Sequence, residues 1–209
     1  MIQNEDLLLL YKYAKECNFI IETGAGRSTH HLSKASIESG GRFFSIEAGK
    51  SVSKGIKSEK IDGCEHRFGW SVSYDDFIFP GNIDFVQADS KNYNKNGLDS
   101  RVVFSKEKKA RKFMDQIGRA DVIRKIIGEN LLMKLDFFFC DSGEYCGLAE
   151  WNIVKREIKV GGYFAIHDIY YPKSIKGFKV KEKIENDENW KVVVVTDNKQ
   201  GLLIAKRIQ

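Results

Sequence analysis

Between an apolar run and an amphipathic stretch stand eight residues, ETGAGRST, from Glu22 to Thr29. Glycines at 24 and 26 let the backbone turn tightly and approach a ligand closely. A helix expected from about Ser28 would point free N–H groups at a carboxylate or another anion. The third glycine of a dinucleotide G-x-G-x-x-G would fall at Thr29, so the nicotinamide fingerprint is incomplete. Glu47 ends the next apolar run, 23 residues after Gly24. An acid placed there accepts hydrogen bonds from the paired hydroxyls of a ribose. Glycine turn and acid together predict a ribose-containing ligand.

Asp141 and Asp168 form a second constellation, each closing an apolar run and 27 residues apart. Two carboxylates facing one crevice suit a hard cation such as Mg²⁺. That ion would hold a substrate hydroxyl and lower its pKa. Without a metal, His167 or Glu144 takes the role of general base, since imidazole titrates near neutrality. His30 and His31 are one helical step apart, so at most one of them faces the crevice.

The elements that must hold these residues alternate short apolar runs with amphipathic stretches, which predicts βαβ units and a parallel sheet. A helix is expected over Glu5 to Glu16, with Asn4 as its N-cap. FIIE (Phe19 to Glu22) reads as a buried strand, and the following helix runs from Ser28 to Ser39, stopped by Gly40-Gly41. RFFSIE is the second strand, and a helix is expected over Ser51 to Ile61. Two segments compete for the third strand, 64–72 with HRFGWS and 83–89 within IDFVQADS; the second is preferred because it is more continuously apolar. A basic helix is expected from Ser105 to Asn130, then the strand LDFFFCD and a helix from Glu144 to Val160 ended by Gly161-Gly162. YFAIHD is the next strand, followed by a polar helix over Ser174 to Asn186. WKVVVVTD and GLLIAKRI, joined by a short connection, form a closing hairpin.

The 209 residues suit a single domain, with a basic helical insertion at about 91–130. A composition of 42% hydrophobic and 30% charged residues excludes a predominantly disordered chain. No apolar run reaches the ~20 residues of a membrane helix. The start, MIQNEDLLLL, lacks a basic n-region, so a cytoplasmic location is expected. The cysteines Cys17, Cys64, Cys140 and Cys146 form no C-x-x-C pair, which argues against a zinc site. Net charge is +5 and uneven: residues 101–125 carry nine Lys or Arg against three acids, a surplus of six. Aromatic residues there are few, Phe104 and Phe113, which argues against a nucleic-acid stacking platform. Arg111, Arg119 or Arg124 would instead face an anionic acceptor, because the guanidinium fork binds phosphate or carboxylate in bidentate fashion.

In these motifs the chain resembles the class I S-adenosylmethionine-dependent methyltransferases. ETGAGRST is similar to their first motif, FFSIE to the second, LDFFFCDSGEYCGLAEW to the fourth and VGGYFAIHD to the fifth strand. The resemblance implies a three-layer αβα Rossmann-like sandwich with a mostly parallel seven-stranded sheet and a C-terminal antiparallel hairpin. It implies that Glu22, Gly24 and Gly26 line the methionine portion of the cofactor, with Ser28 at the helix start and Glu47 on the ribose. Asp89 and Ser90 would sit near the adenine, or Gly69 and Trp70 if HRFGWS is the third strand. The acid pair resembles that of catechol-type, metal-dependent O-methyltransferases, in which Asp141 and Asp168 would hold Mg²⁺. The chain departs from that pattern at Ile169, where those enzymes carry Asn, and at Glu144, where they carry a catalytic Lys. The expected activity is O-methylation of a small or carbohydrate-like acceptor. A nicotinamide-dependent oxidoreductase and a nucleic-acid-modifying protein are the competing readings.

Overall fold

Alternation of apolar residues along the strands decides which face of the sheet each helix covers. The computed structural model describes residues 2–49, 54–55, 60–73, 76, 121–143, 146–170, 176–198 and 200–209. In chain order the elements described are α1 (Asn4–Ala14), β1 (Phe19–Thr23), α2 (Arg27–Ser39), β2 (Arg42–Glu47) and β3 (Cys64–Phe68). Then follow α3 (Val122–Glu129), β4 (Leu135–Cys140), α4 (Gly147–Val154), β5 (Ile158–His167), α5 (Lys176–Glu185), β6 (Trp190–Val195) and β7 (Leu202–Arg207). The seven strands form one sheet in the order β3-β2-β1-β4-β5-β7-β6. β1 to β5 run parallel, whereas β7 pairs antiparallel with both β5 and β6.

Successive side chains of a strand leave on opposite faces. Ile20, Phe43, Phe137, Phe139 and Ala165 therefore meet Leu7, Leu10 and Ala14 of α1 and Leu32 and Ala35 of α2. Phe19, Ile21, Phe44, Phe138 and Phe164 meet Ile123 and Ile126 of α3, Trp151 and Val154 of α4, and Val180 and Ile184 of α5. The result is the expected αβα sandwich with a terminal antiparallel hairpin.

Several boundaries differ from expectation. The N-cap of α1 is Gln3; Asn4 is already helical and accepts a hydrogen bond from Arg27 Nη2 at 2.5 Å. The third strand is Cys64–Phe68, in register with Phe43–Glu47 of β2. It is an edge strand with half-exposed side chains, so apolar continuity was the wrong criterion for finding it. Residues 83–89 lie outside the described residues, as do most of the helix expected over Ser51–Ile61 and positions 101–120 of the basic segment. Val122, Ile123 and Ile126, which end that segment, belong to the core. Gly161-Gly162 does not stop a helix: α4 ends at Val154, and both glycines lie inside β5. The pairing of β4 with β5 shifts register between Leu135 and Phe137, and a Cβ on Gly162 would come 2.7 Å from the Asp136 carbonyl oxygen. The glycine pair thus makes a bulge.

Candidate active site

The turn from β1 to α2 begins with a buried acid. Glu22 is 0% exposed and accepts hydrogen bonds from Ser28 Oγ, Thr29 Oγ1 at 2.7 Å and Ser45 Oγ at 2.8 Å. Burial pushes its carboxyl up to about 7, against the pull of those three hydroxyls. Glu22 and Ser28 thus tie β1, β2 and the first turn of α2 together, and neither lies on the cavity wall described below. Gly24 does. It has φ +82°, and a Cβ there would overlap the Asp141 carbonyl, so only glycine lets the turn close on the end of β4. Gly26 caps α2 through its backbone, its N–H donating to Thr29 Oγ1 at 2.9 Å.

Beyond the carboxyl ends of β1, β2, β3 and β4 opens a cavity of about 540 Å³. Thr23, Gly24, Glu47, Trp70, Asp141 and Ser142 are among the residues lining it. Glu47 accepts the N–H of Gly49, and the backbone of Ala25 and Ala48 also bonds to it. Burial pushes its carboxyl up, and these N–H groups hold the rise in check. Trp70 and Ser71 are fixed by α3, whose first two N–H groups donate to their carbonyls at 3.2 and 3.0 Å. Beneath the cavity Glu150 of α4, 0% exposed, accepts hydrogen bonds from Thr23 Oγ1 at 2.8 Å, Cys140 Sγ at 3.0 Å and Ser71 Oγ. The sequence reading missed Glu150; the available signal was an acid in a mostly apolar helix, GLAEWNIV.

The structure brings Asp141, His167 and Asp168 together, with one potential ligand atom from each within 4.8 Å of the others. It also places a residue there that the sequence reading did not single out. Lys176, the first residue of α5, sends Nζ to within 2.7 Å of Asp141 Oδ1, 3.3 Å of Asp168 Oδ2 and 3.0 Å of the Ser142 carbonyl oxygen. Burial alone would raise the Asp141 carboxyl; the Lys176 ammonium and His167 outweigh it and hold it below the usual carboxylate range. Burial likewise works against the Lys176 ammonium, and Asp141 foremost keeps it charged, with its pKa above the usual lysine value. Mg²⁺ does not fit these residues as they stand, because an ammonium already lies between the two carboxylates. His167 Nδ1 is 3.4 Å from Asp141 Oδ1 and 3.5 Å from Asp168 Oδ1. Its ring is buried and off the cavity wall, and Nε2 meets no hydrogen-bond partner among the described residues.

Asp89, Ser90 and Glu144 lie outside the described residues, and so do Arg111 and Arg119. Gly69 and Trp70, the alternative to Asp89 and Ser90, follow β3 and line the cavity. Arg124 is not among the residues lining the cavity, and its Nη1 pairs with Asp76 at 2.5 Å and with Asp121 at 2.8 Å. No helix among the described residues is long and apolar enough to cross a membrane.

No protein-family model matches the chain, and no curated protein matches it in sequence. Solved structures do match it in shape. An O-methyltransferase from Bacillus cereus in complex with SAH superposes with TM-score 0.62 at 15% identity, covering 99% of this chain and 82% of that one. The O-methyltransferase TomG from Streptomyces achromogenes, in complex with SAM, gives 0.59 at 12% identity over 100% and 82%. An rRNA methylase from Streptococcus thermophilus gives 0.51 at 11% identity over 100% and 99%. Likeness of this kind is a likeness of architecture, and the seven-stranded sheet with its antiparallel end is the fold of the class I S-adenosylmethionine-dependent methyltransferases.

Proposed function

We propose that the chain transfers a methyl group from S-adenosylmethionine to an oxygen of a small acceptor. One observation carries the reading. A cavity of about 540 Å³ opens where Gly24 presses on the end of β4 and the Glu47 carboxylate lines the wall. Glu47 would hold the ribose hydroxyls, Gly24 and Gly26 the turn beside the methionine portion, and Gly69 and Trp70 the adenine. When bound, S-adenosylmethionine supplies a methyl group on a sulfonium. Asp141 is the charged group on the wall nearest the end of β4, and an acceptor hydroxyl donates its hydrogen bond there. Asp141 takes the proton the oxygen gives up and passes it to solvent in the open cavity, while the Nδ1–H of His167, 3.4 Å behind, keeps the carboxylate oriented. The rest of the rate enhancement is positioning.

Calorimetric titration tests the proposal. The wild type binds S-adenosylmethionine, and Glu47→Ala weakens that binding by roughly 1.5–3 kcal/mol for each charge-assisted hydrogen bond lost. Binding of NADH in its place overturns the reading. The rRNA methylase covered over 99% of its length favours RNA as a second class of acceptor. In that case affinity for RNA falls linearly in log–log with salt, whereas a small acceptor shows no such slope.

A further inference from the structure

We propose that Lys176 is a built-in cation: its ammonium fills the place between Asp141 and Asp168 that a divalent ion would take, and removing it unmasks a metal site. Nζ lies 2.7 Å from Asp141 Oδ1, 3.3 Å from Asp168 Oδ2 and 3.0 Å from the Ser142 carbonyl oxygen. Two carboxylates and a carbonyl are a hard-cation donor set. The Lys176 side chain is 3% exposed, so this is a buried ion and not a surface lysine folded back. The other oxygen of Asp168, Oδ1, takes a hydrogen bond from Gln200 Nε2 at 2.6 Å, which fixes the carboxylate's orientation toward the ammonium.

The backbone is shaped to admit the lysine. Gly147, at the start of α4, faces the stem of Lys176, and a Cβ there would come 3.0 Å from Lys176 Cβ. A Cβ on Gly177 would overlap the Asp168 carbonyl. The two glycines let α4 and the start of α5 close around the stem. An ion ligated by both carboxylates at about 2.0–2.1 Å would sit within a few ångströms of Nζ. Two positive charges so close in a buried site repel strongly. Ammonium and divalent ion therefore exclude one another, and the tethered group is present at every metal concentration. The inference does not rest on the methyltransferase reading, because its test measures metal binding without turnover.

Chelator-stripped protein is titrated with Mn²⁺, and the free-ion signal is followed by electron paramagnetic resonance. The wild type takes up no more Mn²⁺ than the Asp168→Asn control. Lys176→Gln and Lys176→Ala each bind Mn²⁺ about tenfold or more tightly than the wild type, and Lys176→Gln combined with Asp168→Asn loses the gain. A purely structural lysine would not produce that pattern. Mn²⁺ binding by the wild type that Asp168→Asn abolishes overturns the proposal. So does a Lys176→Gln protein with wild-type circular dichroism and no gain in Mn²⁺ binding. If neither Lys176 variant folds, Lys176→Met, which keeps the length and packing of the stem, is titrated in their place: a gain in Mn²⁺ binding that Asp168→Asn removes upholds the proposal, and its absence overturns it.

Discussion

Glu22 and Glu150 hold the floor of the cavity from opposite faces of the sheet, and each is satisfied by three side-chain donors, those of Glu22 coming from α2 and β2. For Glu22 this has a measurable consequence. Its carboxyl is pushed up from 4.5 to about 7, so the folded protein keeps a proton that the unfolded chain releases. A group that binds more protons in the native state makes stability fall as pH rises. The contribution of Glu22 is full below about 4.5 and is lost as pH climbs to about 7, a change on the order of 3 kcal/mol. Urea midpoints should therefore drop between pH 5 and 7.5. Glu22→Gln, which has no proton to lose, should flatten the drop, leaving the smaller slope of Glu47, whose carboxyl is also raised. At this scale the sequence was legible where a place on the cavity wall follows from position at the end of a strand, as with Glu47 and Asp141. It was silent where a role depends on a partner distant in sequence. Glu22 reads as a ligand-facing acid until the register sets it opposite Ser45. Lys176 is one of several lysines in a polar helix until the fold lays its stem against Gly147.

Turns, caps and edges decide how the elements meet. Gly24 and Gly40 both have positive φ, +82° and +67°, but their surroundings differ. At Gly40, the C-cap of α2, an added Cβ would meet nothing within 4 Å. Gly40→Ala should cost only the left-handed strain, about 1–2 kcal/mol. Gly24→Ala adds an overlap with the Asp141 carbonyl to similar strain, and should both destabilise more and prise β1 from the cavity end of β4. Urea denaturation separates the two costs, and titration with S-adenosylmethionine reads the damage to the cavity, which Gly40→Ala leaves intact. Helices and strands with a buried face were legible from their period. RFFSIE is β2 to the residue, because four of its six side chains are buried. β3 was harder to read because an edge strand buries little, and its neighbour β2 supplies the pairing that defines it. The bulge in β5 escaped for a related reason: paired glycines end helices and bend strands alike, and only the carbonyl of Asp136 distinguishes the cases here.

Two apolar layers share one sheet, and aromatic side chains tie one of them together. Phe164 stacks on Phe138 with ring centroids 5.7 Å apart and meets Trp151 edge-on at 4.9 Å; Trp151 in turn meets Trp190 at 4.9 Å. Phe164→Ala should cost about 3–5 kcal/mol. Tryptophan fluorescence and far-ultraviolet circular dichroism should shift together in urea, since that packing and the sheet form a single cooperative unit. The layer architecture was the most legible feature of the molecule, because βαβ alternation and a closing hairpin leave few topologies to choose from. One detail of that hairpin bears on how the protein is made. β7 follows β6 in the chain yet lies between β5 and β6 in the sheet. As the polypeptide emerges from a ribosome, Trp190–Val195 appears before any strand it can pair with. The outer side of β5 also stays open until Leu202–Arg207 arrives. That late strand closes both gaps at once, with residues Tyr163–His167 on one side and Trp190–Val195 on the other. Until Leu202–Arg207 docks, the folding chain shows two unpaired β edges to its surroundings, and a chain cut before Leu202 keeps both of them open.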